Sequence, residues 1–189
     1  MIFPTIKSKR LILDDIRAED KASIFELFSN EEVTQYYDLA AFENMQQAED
    51  LISLVQSRFK DKLGIRWAIR KKGEDKLIGT CGFNSWNVAL RSTIIGYDVN
   101  RQYWGNGYIT EALTHIIKAA FDGKLSCDNI NRIQADTIPG NVASEKVLLK
   151  LGFSEEGIHR QAAFWKNEYH DLKCFSLLRN EYTFNDNGC

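Results

Sequence analysis

The order of patterns along the chain predicts a single α/β domain (α+β mixed), with one mixed sheet flanked by helices. Three observations carry this. Stretches rich in β-branched and aromatic residues follow one another early, then alternate with helical stretches later. At 189 residues, with 44% hydrophobic and 12% aromatic content, the chain can fill one core, which excludes disorder. No repeat, low-complexity tract or linker divides it, so residues 1–189 read as one domain with a core of about 8–180 and a short tail at 183–189.

Taken in order, residues 10–13 form a short strand. Asp20 is placed to cap a helix through about Ser29, with Ile24, Leu27 and Phe28 as its buried stripe. Residues 31–42 carry Tyr36 and Tyr37 but no clear period, and read as loop. A second helix covers 45–60 through Ala48, Leu51, Ile52, Val55 and Phe59. Strands 65–70 and 77–83 pair as a hairpin across 71–75. Trp86 and a loop at 87–92 lead to a central strand at 93–99. A helix follows at 109–121, then a strand at 130–137 and a helix at 141–151 closed by Gly152. Strands 160–165 and 169–178 end the fold around a turn at 166–168.

Charge and cysteine usage exclude several classes. The formal net charge is −2, from 24 Lys+Arg and 26 Asp+Glu, and no run of either sign forms a nucleic-acid arm or a polybasic membrane patch. Cys81, Cys127, Cys174 and Cys189 are widely spaced, without C-x-x-C or Cys/His pairing, so neither a metal site nor a disulfide framework is expected. The N-terminus lacks a signal-peptide core and no apolar run reaches membrane-spanning length. A cytoplasmic location is expected.

The stretch Arg101-Gln102-Tyr103-Trp104-Gly105-Asn106-Gly107-Tyr108 joins the central strand to its helix. A strand turning through two glycines into a helix is an anion site. The free N–H groups of the first turn and the positive end of the helix dipole both face the turn. Gly105 and Gly107 let a ligand approach the backbone. Thr110 breaks a dinucleotide fingerprint, and Tyr108-Ile109 stands where a P-loop needs Lys-Ser/Thr.

Gln102-x-x-Gly105-x-Gly107 instead resembles the Q/R-x-x-G-x-G/A signature of the GNAT acyl-CoA N-acetyltransferases. Asn141-x-x-Ser144 with Lys150-x-Gly152-Phe153 resembles a second GNAT segment. Tyr103 to Tyr108, followed by Thr110-Glu111-Ala112, is similar to the branch of ribosomal-protein alanine and serine N-acetyltransferases. The resemblance implies a mostly antiparallel GNAT-like sheet and acetyl-CoA as co-substrate. It further implies an amine acceptor, either a protein N-terminus or a small molecule. It places Tyr97, Val99, Gln102, Trp104, Gly105, Asn106, Gly107, Tyr108, Asn141 and Ser144 at the cofactor, and Asn141 and Ser144 at the chemistry. Read from the residues alone, Asn141 is equally a helix cap and Ser144 a first-turn serine. A homodimer stays open.

Acetyl transfer to an amine needs loss of an amine proton, a donor for the carbonyl oxygen, and a hydrogen bond for the departing sulfur. Backbone N–H groups near Val99 and Asn100 are expected to supply the second, and Ser144 the third. Leu148 stands where the family usually has tyrosine, and 161–164 lacks the carboxylate some members carry. His159, His170 and Asp171 read as structural or surface residues, and His115 as solvated. A CoA-holding sensor without catalysis is the competing class.

Overall fold

The computed structural model describes residues 2–125 and 129–184, so Cys127, Cys189 and most of the 183–189 tail lie outside the described residues. Strands β1 (Ile6–Lys7) and β2 (Leu11–Asp14) precede helices α1 (Lys21–Phe28), α2 (Glu31–Thr34) and α3 (Met45–Lys60). There follow β3 (Ile65–Lys71), β4 (Leu77–Asn87), β5 (Ser92–Val99), α4 (Tyr108–Phe121), β6 (Arg132–Thr137), α5 (Val142–Lys150), β7 (Ser154–Trp165) and β8 (Glu168–Leu178). The strands form one sheet in the order β1-β2-β3-β4-β5-β6-β8-β7. Among the described residues only the β5–β6 pairing is parallel. The expected mixed, mostly antiparallel sheet flanked by helices is the architecture observed.

Strand alternation sorts side chains onto two faces. Ile65, Trp67 and Ile69 of β3 join Leu113, Ile116 and Ile117 of α4 in the larger core, with Leu148 of α5 beside them. Ala68, from the other face of β3, packs with Ile24, Leu27 and Phe28 of α1 and Ala48 and Ile52 of α3. Each fully buried aliphatic side chain stabilises by roughly 1.5–3 kcal/mol, so both faces are firmly held.

Several local expectations need correction. Residues 31–42 are not wholly loop. The Asn30 side chain accepts the Glu32 N–H at 2.9 Å, and acidic Glu31 and Glu32 favour a short α2. Asp20 makes no side-chain cap to α1. Its carboxylate instead takes Arg70 Nη1 and Nη2 at 2.7 and 2.8 Å. A two-residue β1 was too short to show a period. Strand β4 runs on to Asn87 past a bulge between Phe83 and Ser85, and β7 starts at Ser154 rather than at 160. Trp86 packs on Phe83 against the larger core. His115 is half-buried, with Nδ1 at 2.9 Å from the Glu111 carbonyl and its ring edge-on to Phe184. No helix among the described residues is long and apolar enough to cross a membrane.

Candidate active site

The site begins where two strands part. Strand β5 is paired with β4 from Ser92 to Val99, but with β6 only from Ser92 to Ile94. Beyond Ile94 the sheet is split. In an antiparallel ladder alternate residues turn their backbone groups to one neighbour. The Asn100 N–H donates to the Ile78 carbonyl at 2.9 Å, and Asp98 lies opposite Thr80 and Gly96 opposite Gly82 in the same register. These residues therefore spend their backbone groups on β4, while Tyr97 and Val99 turn theirs toward the split. Asn100, expected beside Val99 as an oxyanion donor, has its N–H already committed. The Val99 carbonyl accepts the Trp104 indole N–H at 2.8 Å, leaving the Val99 N–H directed at the split.

A cavity of about 540 Å³ passes through the sheet at this opening. On the α4/α5 face it meets Tyr97, Thr137, Asn141 and Ser144; on the α1/α3 face it meets Tyr36, Tyr37, Arg66 and Asp136. Asn141 caps α5, its side-chain oxygen accepting the Ser144 N–H at 3.2 Å. Ser144 Oγ lies 2.6 Å from the Tyr97 hydroxyl, a contact the sequence did not announce. Burial pushes the Tyr97 phenol up to about 12, against the opposing Ser144 hydrogen bond. Thr137 is buried, lines the cavity, and has no hydrogen-bond partner for its hydroxyl among the described residues. An orphaned buried hydroxyl invites a ligand donor or acceptor.

The glycine corner is built as expected. Gly105 and Gly107 have φ of +76° and +75°, a backbone region that L side chains enter only under strain, and α4 opens at Tyr108 with Gly107 as its N-cap. Nothing crowds a Cβ at Gly105, and one at Gly107 would meet only Arg10 Nη2, at 3.6 Å. Glu111, in the first turn of α4, is fully buried yet well served. It accepts Ser8 Oγ at 2.7 Å, the Arg10 N–H at 2.7 Å and Arg10 Nε at 2.6 Å. Burial alone would raise its carboxyl, but these donors together hold it below the usual range. Arg10 Nη1 also donates to the Asn106 carbonyl at 3.0 Å, and its guanidinium covers the Tyr108 ring. Arg10 is thus a cation at the corner that sequence reasoning missed, because it comes from the bend between β1 and β2, about a hundred residues away.

Three expected cofactor residues are otherwise engaged. The Gln102 amide and Asn100 both donate to Glu26 of α1, at 3.2 and 2.9 Å, bracing the loop. Asn106 donates to the Tyr103 and Trp104 carbonyls, both at 3.1 Å. Trp104 is tied to Val99 and carries the Arg101 guanidinium over its ring. These three shape the corner; Gly105, Gly107 and Tyr108 present it.

On the α1/α3 face, Asp98 is buried and takes Arg66, Thr80 Oγ1 at 3.0 Å and Tyr37 Oη at 3.3 Å. Burial pushes its carboxyl above the usual range, against the pull of Arg66. Tyr36 Oη reaches the Gly140 carbonyl at 3.4 Å and Lys166 Nζ the Thr34 carbonyl at 2.9 Å. The loop at 36–39 is therefore strapped over the opening. His170 stacks on Trp165, Asp171 accepts the Gln161 N–H at 2.8 Å, and His159 is exposed, so all three serve or border the late hairpin. Among the described residues no group of three or more His, Cys, Asp or Glu is placed to hold a metal ion.

Comparison with known proteins bears on the family and the fold. The family model described as "Acetyltransferase (GNAT) domain" matches residues 10–154. The chain is 35% identical over 178 residues to YoaA of Bacillus subtilis (strain 168), described as an uncharacterized N-acetyltransferase, covering 94% of this chain and 98% of that protein. It is 28% identical over 111 residues to the [ribosomal protein uS5]-alanine N-acetyltransferase of Escherichia coli (strain K12), covering 58% and 55% of the two chains. The fold superposes with TM-score 0.81 on the microcin C7 self-immunity acetyltransferase MccE, solved with acetyl-CoA and AMP. That pair is 20% identical, with 90% of this chain and 93% of the other covered.

Proposed function

The chain belongs to the GNAT acetyltransferase family and resembles its ribosomal-protein branch; from that premise we propose how it works. It transfers an acetyl group from acetyl-CoA to a primary amine, on a protein N-terminus or a small molecule, by direct attack with both substrates bound. The observation that carries this is the split between β5 and β6, with a cavity running through it from one face of the sheet to the other. Two substrates can meet there from opposite faces.

Acetyl-CoA supplies the activated acyl group; the protein supplies its placement. Its pyrophosphate fits the free N–H groups at Gly107 and Tyr108 with Arg10 beside them. The pantetheine arm fits the open side of β5, where Tyr97 and Val99 offer backbone groups and Thr137 an orphaned hydroxyl. The Val99 N–H is the remaining donor for the carbonyl oxygen. Ser144 gives one hydrogen bond to the departing sulfur, and Asn141 holds the helix turn that carries Ser144.

An α-amino group has a pKa of roughly 8 and a lysine about 10.4, so the acceptor must shed a proton to react. The carboxylate best placed on the acceptor face is Asp136. Its side-chain oxygens take the neutral Gln134 amide and the Cys174 thiol beside it, whereas Asp98 is occupied by Arg66.

Thiol release from acetyl-CoA tests the reading, using peptides beginning with alanine or serine, free amino acids and a polyamine. Release with one of these amines, slowed at most about 10²-fold in Ser144→Ala, is expected. CoA binding without release for any amine would replace the enzyme by a sensor.

A further inference from the structure

The geometry points to Tyr97 as a positioning residue: its phenol holds the Ser144 hydroxyl so that the Ser144 proton is directed at the departing sulfur. This rests on the reading of the cavity as the acetyl-transfer site and assigns the roles within it. The two oxygens lie 2.6 Å apart, well inside hydrogen-bond range, while the alternative acceptor for the phenol, the Ser144 carbonyl, is at 3.3 Å. The pair has two hydroxyl protons for one short contact. A phenol is a stronger acid than an aliphatic alcohol, so Tyr97 donates and Ser144 accepts. The Ser144 proton is then left for a third atom.

That arrangement answers a question raised by Leu148. The position where related chains carry a tyrosine is here a side chain with no exposure, packed in the larger core. No hydroxyl reaches the cavity from it. Tyr97 brings a phenol to the same turn of α5 from the strand instead, 47 residues away in sequence.

The phenol does not act as the acid. Burial pushes it up to about 12, whereas a thiol leaves near 8.5. Transfer of its proton to sulfur is unfavourable by roughly three powers of ten. Tyr97 therefore stays a donor throughout the working range. In the transfer, the amine nitrogen forms the new N–C bond, the C–S bond breaks with its electron pair going to sulfur, and the surplus amine proton passes to solvent. Neither hydroxyl is consumed. The gain is preorganisation, because a lone serine hydroxyl would rotate among its wells while a pinned one does not. The charged groups near the pair are few. Asp98 lies behind Tyr97 with Arg66, Asp136 lies across the split, and Glu145 beside Ser144 is tied to Lys173 at 3.0 Å.

The test needs no acceptor. Free CoA is titrated in complex with the full chain, and the ultraviolet absorbance of its thiolate gives the pKa of the bound thiol. A thiolate stabilised by the Tyr97–Ser144 pair has its pKa lowered on binding. Tyr97→Phe should return it upward by about one unit, as should Ser144→Ala. The double variant should add little further, since both remove the same hydrogen bond. CoA affinity at low pH, where sulfur is neutral, should hardly move in Tyr97→Phe. An unchanged thiol pKa in Tyr97→Phe, with CoA still bound, overturns the role given to Tyr97 and leaves the acetyl-transfer reading standing. Absence of CoA binding by the unaltered chain overturns both.

Discussion

Two buried carboxylates stand on opposite faces of the same sheet, and they are satisfied in different ways. Glu111 lies under the glycine corner and is met by a hydroxyl, a backbone N–H and a partly exposed arginine. Asp98 lies under the loop at 36–39 and is met by Arg66, whose side chain is itself only 12% exposed, along with Thr80 and Tyr37. The donors win at Glu111 and its carboxyl sits low; burial wins at Asp98 and its carboxyl sits high. Burying a charge pair is costly even when the pair is good, and removing one partner costs more still. The Glu111 site braces the glycine corner at little electrostatic strain, whereas the Asp98 site ties down the loop at 36–39 at a larger one.

Asp98→Asn is the sharpest way to break this contrast. It leaves Arg66 buried without a counter-charge and should destabilise the fold by about 3 kcal/mol, measured by urea unfolding. CoA affinity should survive while the acceptor KM rises through Tyr37 and its loop. A loss of CoA binding at constant acceptor KM would reverse the assignment of the two faces.

Gly107→Val acts on the other face. A β-branched residue at φ +75° is strained by about 1–3 kcal/mol, and the strain falls where the corner must meet the ligand. CoA affinity, read by calorimetry, should drop at least about tenfold with the fold retained. Unchanged affinity would remove the pyrophosphate from this turn.

Glu111→Gln should cost less than Asp98→Asn, about 1–2 kcal/mol, because Arg10 reaches solvent and is screened. Its loss should loosen Arg10 and weaken CoA binding. The sign with pH follows from linkage. A carboxyl held below its unfolded value contributes stability that is present above about pH 4.5 and lost as pH falls through the lower folded value. The gap between the unaltered chain and Glu111→Gln should therefore close on acidification below about pH 4.5. Asp98 has the opposite sign, since its raised carboxyl takes up a proton more readily folded than unfolded. A gap that widened in acid for Glu111→Gln would contradict the hydrogen-bond account.

Tyr37→Phe is the smallest step. It removes a neutral hydroxyl that donates to Asp98 at 3.3 Å and accepts from Arg66 Nη2 at 3.1 Å, while leaving the Asp98 contacts to Arg66 and Thr80 in place, for about 1–2 kcal/mol. Only the acceptor KM should respond. An equal response in CoA affinity would mean that the two faces are coupled.

Much of this was legible before any coordinates. The helices at 45–60 and 109–121 follow from apolar spacing, and the hairpin of β3 and β4 from alternation about a turn. The left-handed glycines follow from a strand that must turn into a helix, and the Asn141 cap from its place at the head of α5. These are local consequences of backbone sterics and of the periods 3.6 and 2, so a short window of sequence contains their cause. Tertiary structure alone decided the rest. The contact of the Gln102 amide with Glu26, the 2.6 Å approach of the Tyr97 hydroxyl to Ser144, and the reach of Arg10 from β2's threshold to Glu111 are all of this kind. The split between β5 and β6 lies in a register between strands separated by a whole helix. Such contacts join residues tens of positions apart, and only the packing of two sheet faces sets which side chains arrive within hydrogen-bond reach of one another.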